Sequence, residues 1–123
     1  MSKIPKKYID RKEEISKQFL EEIEKNLDDI LNERTDKMHE IKDIASILCI
    51  HPVHLSNTVK LYTGQKPCFF FEKRIMEEAK KMMANPDLSI AEIARRLTFD
   101  PSNFTKFFKR FEGVLPSQYR KSL

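Results

Sequence analysis

IKDIASILCIHPVHLSNTVKLYTGQKP (41–67) and IAEIARRLTFDPSNFTKFFKRFEGVLP (90–116) align without a gap at an offset of 49 residues. Identical pairs are Ile41/Ile90, Ile44/Ile93, Ala45/Ala94, Leu48/Leu97, Pro52/Pro101, Lys60/Lys109, Gly64/Gly113 and Pro67/Pro116. Asp43/Glu92, Ile50/Phe99, Leu55/Phe104, Ser56/Thr105 and Val59/Phe108 match in kind. The chain holds only 2 glycines, and they fall at equivalent places. Self-similarity at a fixed offset marks one structural unit used twice.

Each copy opens on a short amphipathic helix, because Ile41, Ile44, Ala45 and Leu48, and their counterparts Ile90, Ile93, Ala94 and Leu97, share one face. The small Ala45 and Ala94 let a second helix cross closely. Ser89 and Glu92 have capping-box spacing. A turn of about three residues follows, after which Pro52 or Pro101 suits the first position of a second helix. Asp100 is a good N-cap for the second copy, whereas His51 reads as a poor one for the first. Gly64 and Gly113 suit the left-handed position that stops a helix. Short helix, tight turn, second helix and glycine stop make a helix-turn-helix, present twice.

Upstream, Ile15, Phe19, Ile23, Leu27, Ile30 and Leu31 recur at three- and four-residue steps, the stripe of an amphipathic helix from about residue 11 to 32. The NERTDK stretch (32–37) reads as a loop. No segment alternates with period two. The expected fold is all-α.

Composition narrows the function. With 123 residues the chain fits one domain or two very small subdomains. Residues 1–40 carry 9 Lys/Arg against 11 Asp/Glu, whereas 41–123 carry 14 against 8, a swing from −2 to +6. The basic half is expected to face a polyanion. No apolar run approaches a bilayer span, no signal-peptide core follows the basic N-terminus, and 2 cysteines are too few for a disulfide framework. A cytoplasmic protein is expected, nucleoid-associated when bound.

On the second helix of copy two, helical spacing puts Phe104, Phe108 and Phe111 on one face with Phe107 at its edge. Ser102, Asn103, Lys106, Lys109 and Arg110 lie opposite. In copy one Leu55, Val59 and Tyr62 face inward, and Val53, Ser56, Asn57 and Lys60 outward. A recognition helix needs that outward mixture: cations for phosphates, and short amide, hydroxyl and amine groups for base edges in the major groove.

From about residue 38 to 120 the chain resembles the AraC/XylS family of bacterial transcription regulators. The resemblance is carried by IAEIARRLTFDPSNFTKFFKRFEGVLPSQYR (90–120) with its closing P-x-x-YR signature (Pro116, Tyr119, Arg120), by EKRIMEEAKKMM (72–83) as linker helix, and by DIASILCIHPVHLS (43–56) as first unit. It implies an all-α, two-lobed domain of about seven helices, two helix-turn-helix subdomains joined by a linker helix, that places two recognition helices in successive major grooves of double-stranded DNA. By position, base reading falls on Val53, Ser56, Asn57, Ser102, Asn103 and Lys106, and phosphate contact on Lys60, Lys109 and Arg110. The implied layout is a basic tail over 1–12 and a DNA-binding domain over 13–123. Within it, 13–66 holds the N-terminal helix and first unit, 67–86 the linker helix, and 87–123 the second unit and the closing segment. RNA polymerase is a candidate second partner, and one chain with two reading heads can bind as a monomer.

Two departures carry an expectation of their own. Cys49 and Thr98 stand in the turns where the family usually has Gly, and the second turn reads one residue short. A non-Gly residue in left-handed conformation costs about 1 kcal/mol, so a re-formed turn and a slightly rotated second recognition helix are expected. An alternative function is a protein-interaction module that uses the acidic N-terminal helix without specific DNA binding. Enzymes are disfavoured: no phosphate loop is possible with 2 glycines, and no His/Asp/Glu/Cys set recurs at catalytic spacing. No cofactor is expected. Cys49-x-His51-x-x-His54 matches no metal-ligand spacing. The cations of the linker helix, Lys73, Arg74, Lys80 and Lys81, stand at salt-bridging sequence spacings from Glu72, Glu77 and Glu78 and are expected to be solvated or internally paired rather than DNA-bound.

Overall fold

The computed structural model describes residues 11–123, and every regular element among them is an α-helix. In order these are α1 (Arg11–Leu31), α2 (Ile41–Ile47), α3 (Pro52–Thr63), α4 (Pro67–Met83), α5 (Ile90–Arg96), α6 (Pro101–Glu112) and α7 (Pro116–Lys121). The basic N-terminal tail lies outside the described residues through position 10, and Arg11 and Lys12 already belong to α1. The contacts divide the described chain into two compact units, residues 11–26 with 39–71 and residues 27–38 with 72–123.

In the first unit α1 contributes Ile15, Phe19 and Ile23 to a core completed by Ile44 and Ala45 of α2 and Leu55 and Val59 of α3. Phe70 and Phe71, at the start of α4, meet the Phe19 ring edge-on at 6.4 and 5.7 Å between centroids, a geometry favoured by the ring quadrupoles. The loop leaving α1 is tied down at Asn26, whose buried Oδ1 accepts from the His39 backbone N–H at 2.7 Å. That bond satisfies an acceptor on a buried amide.

In the second unit Leu27 of α1 joins Ile75, Met76, Ala79 and Met83 of α4, Ile93, Ala94 and Leu97 at α5, and Phe104, Phe107 and Phe108 of α6. Within the 32–37 loop, Arg34 bridges back to the carboxylates of Asp28 and Asp29. The Y-R of the closing signature does structural work at the far end. Tyr119 packs edge-on against Phe108 at 5.6 Å, and Arg120 donates to the Met83 and Asn85 carbonyls, both at 3.3 Å. Met83 is the last residue of α4, where intrahelical partners run out, and Asn85 lies two residues beyond it. Lys80 completes the corner, 2.7 Å from Glu112 and 5.4 Å above the Tyr119 ring centre.

Candidate nucleic-acid interface

The two turns that aim α3 and α6 are the same turn. Both span four residues, 48–51 and 97–100. In the first, the N–H groups of Leu48, Cys49 and Ile50 donate to Ile44, Ser46 and Ala45; in the second, those of Leu97, Thr98 and Phe99 donate to Ile93, Arg95 and Ala94. This is the Schellman pattern, which requires a left-handed residue after the helix. Cys49 (φ 59°) and Thr98 (φ 68°) adopt it without glycine. The expectation of a re-formed second turn is therefore corrected: it keeps the left-handed geometry of the first. The conformational penalty of about 1 kcal/mol is smaller than what two helix-end carbonyls gain in partners, together with the packing of Ile50 and Phe99 on the two cores.

Each recognition helix is held at both ends. His51, read from sequence as a poor N-cap, accepts from the Val53 N–H through Nδ1 at 3.1 Å. The ring nitrogen does what a carboxylate does in the second copy. There Asp100 accepts from the N–H groups of Ser102 (3.2 Å) and Asn103 (3.4 Å) and from the Ser102 hydroxyl (2.6 Å). The bond from the Ser102 side chain, those from the Asn103 and Ser102 backbone, and the charge of Lys106 hold the Asp100 carboxyl below the usual range. Upstream, Ser89 caps α5 by accepting from the Glu92 N–H at 3.0 Å. Gly64 (φ 81°) and Gly113 (φ 89°) close α3 and α6, each donating to the carbonyl four residues back.

The inward faces are rotated from their sequence reading, identically in both copies. Leu55, Thr58 and Val59 are buried on α3, and Phe104, Phe107 and Phe108 on α6. Tyr62 and Phe111, expected inside, are exposed at 45% and 37%. Phe107 moves from edge to core because its ring stacks on Phe99, 5.2 Å away and tilted by 18°. Phe99 is supplied by the turn, so the helix's own periodicity could not show it.

Residues 44–122 match the family model of a helix-turn-helix domain. The chain belongs to the AraC-type helix-turn-helix family. It is similar to the HTH-type transcriptional regulator YisR of Bacillus subtilis, 30% identical over 92 residues, covering 74% of this chain and 32% of that protein. Among solved structures it is similar to the C-terminal domain of AraT, a response regulator from Geobacillus stearothermophilus. That match has a TM-score of 0.76 at 28% identity and covers 89% of this chain and 85% of the other. The DNA-binding domain of AdpA, solved with a target DNA, shares the fold at a TM-score of 0.63 and 20% identity, over 79% and 91% of the two chains. The chain spans about a third of the length of the curated relatives it matches.

In this AraC-type domain the side chains expected to read bases lie as follows. Val53, Asn57, Ser102, Asn103 and Lys106 are exposed, and Ser56 is half-buried. The Ser102 hydroxyl is donated to Asp100, which leaves its oxygen as an acceptor only. Among the expected phosphate contacts, Lys60 and Lys109 are exposed and make no ion pair among the described residues. Arg110 differs: it pairs with Glu72 of α4 at 2.8 Å, and its guanidinium carbon lies 5.8 Å from the Phe107 ring centre. On α4, Arg74 pairs with Glu77 and Glu78, and Lys81 with Glu78. Lys66 carries no periodic signal in the sequence. Sitting between a glycine stop and a proline start, it has no periodic neighbour to place it on a face.

Proposed function

We propose that the chain is a sequence-specific, double-stranded DNA-binding transcription regulator that inserts α3 and α6 into successive major grooves and is not an enzyme. The observation that carries this is the duplication of one Schellman turn and of the capped helix that it aims, whose exposed face is amide, hydroxyl and cation. Phosphate neutralisation supplies the affinity of such a surface and base-edge contacts its selectivity. The captured complex of AdpA with its target DNA supports this use of the fold. On this reading Val53, Ser56, Asn57, Ser102, Asn103 and Lys106 read bases, and Lys60 and Lys109 contact phosphates. Arg110 contacts a phosphate only in competition with Glu72. One chain occupies one site in the cytoplasm, on the nucleoid, and RNA polymerase is the partner through which binding affects transcription. The interaction-module alternative rested on a defective second turn, and the two matching turns remove that support.

Selection of bound duplexes from a random pool supplies the site. On it, about six phosphate contacts give a slope of log K against log salt near −5, and a slope near zero overturns the reading. Lys106→Ala is expected to relax preference at one base position by about 1–3 kcal/mol, whereas Lys109→Ala weakens all sequences alike and flattens the slope by about 1. Arg110→Ala weakens binding less than Lys109→Ala. The reverse pattern would sink this division of roles.

A further inference from the structure

The first unit contains a cleft of about 470 Å³, and the contacts assigned above use only one of its walls. One wall is the outward side of α3, with Ser56, Asn57 and Lys60; the other is the start of α4, with Lys66 and Cys68. We propose that this cleft seats a phosphodiester of the DNA backbone, with Lys66 as its principal cation, beside the bases that α3 faces. The proposal rests on the DNA-binding reading above.

Three observations support it. Lys60 and Lys66 are both exposed and make no ion pair among the described residues. Glu40, the acidic residue in the lining, is engaged by Lys42 at 3.4 Å, so the charge presented to a visitor is positive. Lysine ammonium groups donate up to three hydrogen bonds each and accept none, and a phosphodiester offers acceptors with a matching charge. The walls also decide between a free anion and a duplex. Ser56, Asn57 and Lys60 belong at once to the cleft and to the face assigned to DNA, so the occupant arrives with the duplex. The arrangement is confined to the first unit: at the repeat offset of 49, Leu115 stands where Lys66 does and Ser117 where Cys68 does. Lys66 would thus anchor the first head against the backbone in a way the second head lacks.

The test uses the full chain with Cys49→Gly, which leaves Cys68 as its single thiol. Salt titrations on the selected duplex and on a random duplex compare this background with added Lys66→Gln and with Lys25→Gln, a cation of α1 outside the cleft. Lys66→Gln is expected to flatten the slope by about 0.9 and to weaken both duplexes by the same factor, whereas Lys25→Gln changes neither. Saturating duplex is expected to slow maleimide alkylation of Cys68 by at least severalfold. A steep slope that Lys66→Gln leaves unchanged, or alkylation that duplex does not slow, overturns the phosphate seat while the DNA-binding reading stands. A loss confined to the selected duplex also overturns it, because Lys66 would then be reading a base. A flat slope in the background chain overturns the DNA-binding reading itself.

Discussion

Single residues set how firmly the recognition helices are aimed. Thr98 is β-branched yet holds φ 68°, a region that L-residues other than Asn and Asp seldom enter. Thr98→Gly is expected to stabilise the fold by roughly a few tenths of a kcal/mol, because relief of the left-handed penalty of about 1 kcal/mol only just exceeds the added freedom of the unfolded chain. Urea denaturation midpoints measure this, and a destabilised variant would mean that the Thr98 side chain packs more than its backbone strains. Asp100 carries a pH signature. Its carboxyl is depressed in the folded state, chiefly by the hydrogen bond from Ser102. Its contribution is therefore present above the unfolded-state pKa of about 3.9 and is lost as pH falls through the lower folded value. The melting-temperature gap between the wild type and Asp100→Asn should stay constant above about pH 5 and narrow below pH 4. A gap that does not change with pH would show that Asp100 caps α6 without its charge.

At the scale of the element, α6 separates anchoring from reading. Phe104, Phe107 and Phe108 are buried, with Phe107 stacked on Phe99, while Phe111 lies at the margin. Phe107→Ala is expected to cost about 3–5 kcal/mol and Phe111→Ala roughly 1 kcal/mol, as read by chemical denaturation. Equal losses would restore the rotation that α6's own periodicity implies. Arg120 shows a related division. Part of a sequence signature, it acts through its bonds to the last carbonyl of α4 and to that of Asn85 just beyond, 37 and 35 residues away in the chain. Arg120→Ala should therefore lower stability without changing base preference, which thermal melts and duplex selection together would show.

At the scale of the whole molecule, the proposed use of both heads makes one chain sufficient for one non-palindromic site. Sedimentation of the complex should find one chain per duplex, and a two-chain complex on a symmetric site would overturn that stoichiometry. Helix starts, glycine stops, the duplicated unit and the outward polar faces were legible in the sequence, because capping, left-handed termination and amphipathic periodicity all act within one or two turns of the chain. Four features were not: the identical rotation that buries Thr58 and Phe107, the Glu72 partner of Arg110, the role of Arg120, and the cleft behind Lys66. Each joins residues from different elements, so no periodicity within one helix encodes it. The stripe of α1 shows the same boundary. Its spacing establishes that Ile15 through Leu31 bury one face, but only tertiary packing assigns Ile15, Phe19 and Ile23 to one core and Leu27 to the other. Periodicity specifies which face leaves water; which surface receives it depends on the partners that the folded chain brings to it.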